Sequence, residues 1–181
     1  MKRLAAIFSA SLIAVSSWGQ TAADVIFPTI PELEHPYGVE VLFSPEHDIQ
    51  GRILDAINNA KFEVLVNHYL ITNPRIKQAL IKKFREKKSV VVILDAKPAV
   101  RDYRGITDLD NAGLPVIPLQ SANGSWNNTK YIIIDREIVL IGTGDLTNAA
   151  RNNRESLIVM MEPSIVISFY NHFVKTAKSD P

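Results

Sequence analysis

The residues of this chain whose types and spacing could do chemistry lie between Asn128 and Glu155. Asn128 and Lys130 precede an apolar run, Tyr131 to Ile134. Asp135-Arg136-Glu137 separates it from a second run, Ile138 to Ile141, and Gly142-Thr143-Gly144-Asp145 follows directly; Asn153 and Glu155 lie further on. Two runs of branched apolar residues joined by so few polar ones read as adjacent strands with a tight turn. Such strands deliver Asn128 and Lys130 on one side and Gly142 to Asp145 on the other, and polar groups gathered at one end of a buried sheet make a site. Lys130 contributes a cation and Asp145 an anion that can only accept. The Asn128 carboxamide can hold a hydrogen bond, but it has neither a basic lone pair nor a proton to give near neutral pH.

The elements that must hold these groups are legible on both sides. Val39 to Phe43 reads as a short strand stopped by Ser44-Pro45. Asp48 then caps a helix with Ile49, Ile53 and Ile57 on one stripe, ending near Asn58-Asn59. Phe62 to Tyr69 is nearly continuously apolar as far as Val66, which suits a strand covered on both faces. Thr72 or Asn73 caps the next helix, with Pro74 in its first turn. Ile76, Leu80 and Phe84 face inward there, and Lys77, Lys82, Lys83, Arg85, Lys87 and Lys88 outward. Strands follow at Val90 to Leu94 and Leu114 to Ile117, separated by a helix that stops at Gly113. After the central hairpin come an irregular polar segment, a strand from Leu157 to Met161, and a final helix with Ile165, Phe169, Phe173 and Val166 as its apolar stripe. Strands alternating with helices predict an α/β layered domain, a mixed sheet with helices on both faces. No linker or internal repeat divides it.

The chain has 181 residues, enough for one domain with a real core. Lys2 and Arg3, the apolar run Leu4 to Val15 and the small residues up to Ala23 form the three-part pattern of a secretory signal peptide. Residues 1–23 are therefore read as a leader, 24–37 as an extended lead-in with three prolines, and 38–178 as the domain. The expected address is exported, periplasmic or secreted. Without the leader, Lys+Arg falls from 20 to 18 against 19 Asp+Glu, so net charge gives no argument for a nucleic-acid partner. With no Cys, an exported chain is held by its core without disulfides, and with four scattered His a zinc site is not expected.

The order of these pieces resembles the phospholipase D superfamily, most closely its small, exported, single-motif bacterial nucleases. VEVLFSP, AINNAK, HYLIT, VVVILDAK and LDNAGLPV stand where that family has similar strings. The family signature is H-x-K-x4-D, then G-S-x-N, then a downstream N-x-E. Here the positions read Asn128-x-Lys130-x4-Asp135, Gly142-Thr143-Gly144-Asp145 and Asn153-x-Glu155. The spacing is intact; the catalytic His has become Asn128, the Ser Thr143 and the motif Asn Asp145.

The resemblance implies metal-independent phosphodiester hydrolysis in nucleic acid or phospholipid, with no cofactor, through a phosphohistidine. It implies catalytic positions at Asn128, Lys130, Asp145 and Glu155, phosphate binding by Lys130 and Thr143, structural roles for Asp135, Gly142 and Asn153, and a homodimer, since single-motif chains pair so that each supplies one His. The substitutions work against that chemistry. Losing acid–base catalysis alone costs about 10²–10⁴-fold, and losing the covalent route adds to it. At about 4 Å a carboxylate opposes a phosphodiester by roughly 1–4 kcal/mol, so Lys130 is expected to pair with Asp145. The two expectations are a strongly impaired phosphodiesterase and a non-catalytic binding protein for nucleic acid or another phosphorylated ligand.

Outside the motif, His68 closes the second strand and is either a substitute base or a strand-end imidazole packed beside Tyr69. His35 and His47 fall in the lead-in and a turn; His172 points away from the last helix's stripe. Tyr37, Tyr103, Trp126 and Tyr131 could stack on bases at the mouth, or, as loop aromatics, cover the core edge.

Overall fold

A computed structural model describes residues 38–96, 104–119 and 126–178. The leader and the lead-in, with His35 and Tyr37, lie outside them, and so does Tyr103.

The described chain runs β1 (Glu40–Phe43), α1 (Ile49–Asn59), β2 (Glu63–His68), α2 (Pro74–Arg85), β3 (Ser89–Asp95), α3 (Arg104–Asn111), β4 (Val116–Leu119), β5 (Tyr131–Ile134), β6 (Ile138–Gly142), a 3-10 turn (Ala149–Asn152), β7 (Ser156–Met160) and α4 (Pro163–Lys178). Asp48 caps α1 as read from sequence, accepting from Gly51 N at 2.9 Å, and of the two candidates for α2 it is Asn73, not Thr72, that caps, accepting from Arg75 N at 2.9 Å with Pro74 next to it.

One seven-stranded sheet has the order β1-β7-β6-β5-β2-β3-β4. The half made by β2, β3 and β4 is parallel, while β5, β6, β7 and β1 join antiparallel. This is the mixed sheet expected. Every residue of β2 and of β5 is buried, because these two strands lie at the centre with a layer on each face. On one face Ile132, Ile134, Val64 and Val66 pack with Ile53 and Ile57 of α1 and Ile76 and Leu80 of α2. On the other, Leu65, Ile93, Ile133 and Val139 pack with Val166 and Phe173 of α4.

Three expectations are corrected. The fourth strand is Val116–Leu119, not Leu114–Ile117. Gly113, at φ +81°, turns the chain so that Leu114 N bonds back to Leu109 O and its side chain is buried under the helix end; Pro115 then has no N–H to give a ladder. Pro118 is tolerated because β4 is an edge. Lys83 does not face solvent: it is buried, its Nζ donates to the Ala60 carbonyl at 3.0 Å and lies 3.3 Å from Glu86. An amphipathic side chain can be covered when its head finds such partners. Tyr131 is no stacking platform, since it is 1 % exposed and lies edge-on to Phe169 beneath α4.

Candidate functional site

The hairpin β5–β6 is closed by Asp135 and Arg136, both left-handed at φ +55° and +58°, with Glu137 N bonding to Ile134 O at 3.0 Å. That geometry matches the twist of the strands, and Asp tolerates it. The Asp135 carboxylate accepts three backbone N–H groups, from Lys61 at 2.8 Å, Phe62 at 2.7 Å and Glu63 at 2.8 Å. Burial pushes its carboxyl up, but those bonds together with the Lys61 charge outweigh burial and hold it below the usual range. Asp135 locks the hairpin to the start of β2, at the end of the sheet remote from Lys130.

At the other end, register does the assembling. Tyr131 pairs with Asn67 on one side and Ile141 on the other, so one step outward His68, Lys130 and Gly142 come side by side. Lys130 Nζ donates to the Thr143 carbonyl at 3.1 Å and lies 3.1 Å from Asp145 Oδ1. The second contact is an ion pair by distance but not a directed hydrogen bond, since Asp145 Oδ1 is buried without a hydrogen-bond partner. Gly142 is required here: a Cβ would stand 2.2 Å from the Ser156 carbonyl oxygen on β7.

The downstream motif folds onto this edge. Thr143 Oγ1 donates to Glu155 Oε2 at 2.6 Å and accepts from Ser156 N at 3.0 Å. Its only proton is thus spent on Glu155, so Thr143 meets a phosphate by hydroxyl donation only by giving that bond up. Glu155 Oε1 accepts from Asn153 Nδ2 at 3.1 Å. Ser44 ties the segment to β1, its hydroxyl donating to Asn153 O and accepting from Glu155 N, both at 2.8 Å.

Asn128 is exposed, in a loop held by a buried polar cluster. Asn127 N donates to Asp95 Oδ2 at 2.6 Å, and its side-chain amide donates to Asn67 Oδ1 at 2.9 Å and His68 O at 3.3 Å. Asn67 Nδ2 reaches Tyr131 OH at 3.3 Å, and that hydroxyl lies 2.9 Å from His172 Nδ1. Burial pushes the Tyr131 phenol up to about 12, with the Asn67 bond opposing it. So His172, expected to point away, is exposed yet joined to the cluster through Tyr131. His68 is 3 % exposed with Nδ1 unpartnered; burial first, and Lys130 second, pull it down to about 3. It is a neutral imidazole beside the cation. Trp126 is 49 % exposed and meets Tyr69 edge-on at 5.7 Å.

The structure therefore brings Lys130, Thr143, Asp145, Asn153 and Glu155 to one edge with Asn128 and His68 adjoining, and leaves Asp135 at the opposite end as a structural anchor. Ser44, Asn67, Asp95 and Asn127 were not picked out from sequence. For Asn67 a signal existed, because a polar residue inside an apolar strand requires a buried partner.

The family of the phospholipase D-like domain, described as "Cardiolipin synthase, PLD-like domain", matches residues 53–177. The chain belongs to this family. The phospholipase D-like domain is similar to a phospholipase D of Rickettsia bellii, at 26% identity over 137 residues, 75% of this chain and 67% of that protein. In structure it is similar to Nuc of Salmonella typhimurium, a phospholipase D family member, with TM-score 0.67 and 27% identity over 77% of this chain and 93% of that one. NucT of Helicobacter pylori shares the fold at TM-score 0.68 and 22% identity, over 79% and 97% of the two chains. Family membership makes this a domain of phosphodiester chemistry.

Proposed function

We propose that this edge is a phosphodiester-binding site of the phospholipase D type whose turnover is strongly reduced. The observation that carries the reading is the pairing of Lys130 with Asp145 beside an exposed carboxamide at Asn128. The cation that would hold a non-bridging oxygen is present and is partly neutralised, and no basic group stands at the attacking position. His68 does not replace it at neutral pH: a base pulled down to about 3 takes a proton poorly, and it is nearly closed to solvent.

The test is cleavage of bis(p-nitrophenyl) phosphate and single-stranded DNA without added metal. The expected rate is no more than that of the Lys130→Ala variant. Cleavage well above that control, abolished by His68→Ala, would overturn the reading and name His68 as the catalyst. Asn128→His combined with Asp145→Asn is expected to recover cleavage, since spacing and fold are intact.

A second reading, a binding protein for a phosphorylated ligand with no turnover at all, is favoured by the same ion pair. Robust turnover of any phosphodiester would end it. The reading also includes a homodimer, in keeping with one motif per chain, and export with cleavage near Ala23. Light scattering of the purified protein and N-terminal sequencing of the exported form test these two parts.

A further inference from the structure

The end of the sheet remote from Lys130 is closed by the α1–β2 link at Lys61-Phe62, the α2–β3 turn at Glu86-Lys87-Lys88, the β5–β6 turn and the exit of β7 at Met161. Two large apolar side chains stand out there: Phe62 is 64 % exposed and Met161 45 %. Phe62 is fixed by its backbone. Its N–H donates to Asp135 Oδ1 at 2.7 Å and its carbonyl accepts from Ser89 N at 2.8 Å. The strand order puts β7 three strands from β2, so the two positions are about 14 Å apart along one surface. A single exposed apolar residue is ordinary. These two share their end of the sheet with unpaired cations.

Lys61 flanks Phe62 in sequence, and Lys87-Lys88 flank it across the Ser89 bond. The carboxylates nearest to them are engaged. Glu63 is held by Arg136 at 2.9 and 3.1 Å, and Glu86 lies 3.3 Å from Lys83 and 3.9 Å from Lys82. Asp135 is turned to three backbone N–H groups beside the Lys61 charge. Glu162, after Met161, accepts from Ile165 N at 2.8 Å and from the Ser164 hydroxyl, which commits it to the start of α4. Arg85, Lys87 and Lys88 remain on the β2–β3 side. Exposed Glu137 at the hairpin and Asp110 at the end of α3 mark the limits of this basic area.

We propose that this end is a docking surface for a bilayer that carries anionic headgroups. Phe62 and Met161 enter the interfacial region, while Arg85, Lys87 and Lys88 lie among the headgroup phosphates with their apolar stems along the surface. A single-stranded nucleic acid would use the cations but leave Met161 without a partner, since stacking needs a ring. A neutral protein face would use the apolar pair and leave the cations unmatched. The bilayer uses both. Among the described residues no helix is long and apolar enough to cross a membrane, so this contact is peripheral. It also sets an orientation. β2 has six residues, about 20 Å of strand, so docking by Phe62 holds the edge with Asn128 and Lys130 away from the lipid and open to the water phase. This docking is independent of the phosphodiester reading.

The test is flotation of the exported form, cleaved near Ala23, because an apolar leader binds vesicles on its own. Vesicles of phosphatidylcholine alone are compared with vesicles containing about one third phosphatidylglycerol, at low and high salt. The wild type is expected to float with the anionic vesicles at low salt and to be released as salt rises. Phe62→Ser, checked for unchanged thermal unfolding, is expected to weaken partition about tenfold. Lys87→Asn with Lys88→Gln is expected to weaken it about tenfold with a shallower salt dependence; Asn suits position 87, where φ is +63°. Lys130→Ala is expected to leave partition unchanged. No flotation with anionic vesicles at low salt, or equal binding to neutral ones, would overturn the proposal. So would binding lost in Lys130→Ala and kept in Phe62→Ser, which would place the lipid at the candidate site. Single-stranded DNA bound through Lys87 and Lys88 with no vesicle binding would overturn it in favour of nucleic acid. Brominated lipids read the orientation. With Trp18 gone in the leader, Trp126 is the one tryptophan of the exported form. Its fluorescence is expected to stay unquenched on the vesicle, and that of Phe62→Trp to be quenched; quenching of Trp126 in the bound wild type would overturn docking by this end.

Discussion

Lys130 Nζ stands 3.1 Å from Asp145 Oδ1 and also 3.1 Å from the carbonyl oxygen of Thr143, so the site's cation is held by its own chain on two sides. A side chain caught in this way has lost some of its freedom to reach a ligand and part of its charge. Removing the anion should return both.

Asp145→Asn is therefore expected to tighten binding of inorganic phosphate by about fivefold at low ionic strength, the scale of one partly exposed charge contact. The gain should shrink as salt screens it. A phosphorus NMR titration at two salt concentrations measures this, and an unchanged affinity at low salt would show that the pair does not restrain Lys130.

Asp135→Asn keeps a residue that tolerates the left-handed turn and removes the charge that three backbone N–H groups share. The expected loss is about 2 kcal/mol, read as a lower urea midpoint. Because the carboxyl is held below its usual range, its contribution is present above the unfolded value and is lost as pH falls through the folded one.

His68 gives a pH dependence of the same sign by a different route. Folded, it stays neutral down to about pH 3; unfolded, it takes a proton at its ordinary value of 6.5. Stability is thus complete above pH 6.5 and falls on acidification toward pH 3, by up to about 1.4 kcal/mol per unit. His68→Leu is expected to flatten the slope of unfolding free energy between pH 6.5 and 4. A slope identical to wild type would mean that His68 is protonated in the folded protein.

Gly142→Ala sets a Cβ against the Ser156 carbonyl at 2.2 Å, and backbone must move. The expected loss is about 3 kcal/mol, as for strong overpacking, together with loss of phosphate binding, because the displaced strand end carries Thr143. Unfolding and titration on the same sample check it.

Tyr131→Phe leaves the packing against Phe169 and deletes the hydroxyl shared by Asn67 and His172. A cost of about 1–2 kcal/mol is expected for the buried Asn67 amide left short of a partner. The double-mutant cycle with Asn67→Val should be non-additive; full additivity would show that the two do not communicate.

The sequence by itself determined the fold class, the order of elements, the Asp48 cap, the second cap to within Thr72 or Asn73, and the hairpin closed at Asp135, because alternating apolar runs, capping residues and turn chemistry are local signals. It also carried the family resemblance, which holds at the level of the phospholipase D-like domain. Only the tertiary structure decided what the site residues do with one another. His68, Lys130 and Gly142 become neighbours through the register of three strands, and no local signal states a register. Lys83 read as solvated and Tyr131 as a possible stacking platform because burial depends on what packs over them: the end of α1 in one case, α4 in the other. The charge of Asp145 was legible in its letter. Its pairing with Lys130 was expected from that charge; the 3.1 Å separation, with Oδ1 buried and making no directed hydrogen bond, belongs to the folded edge.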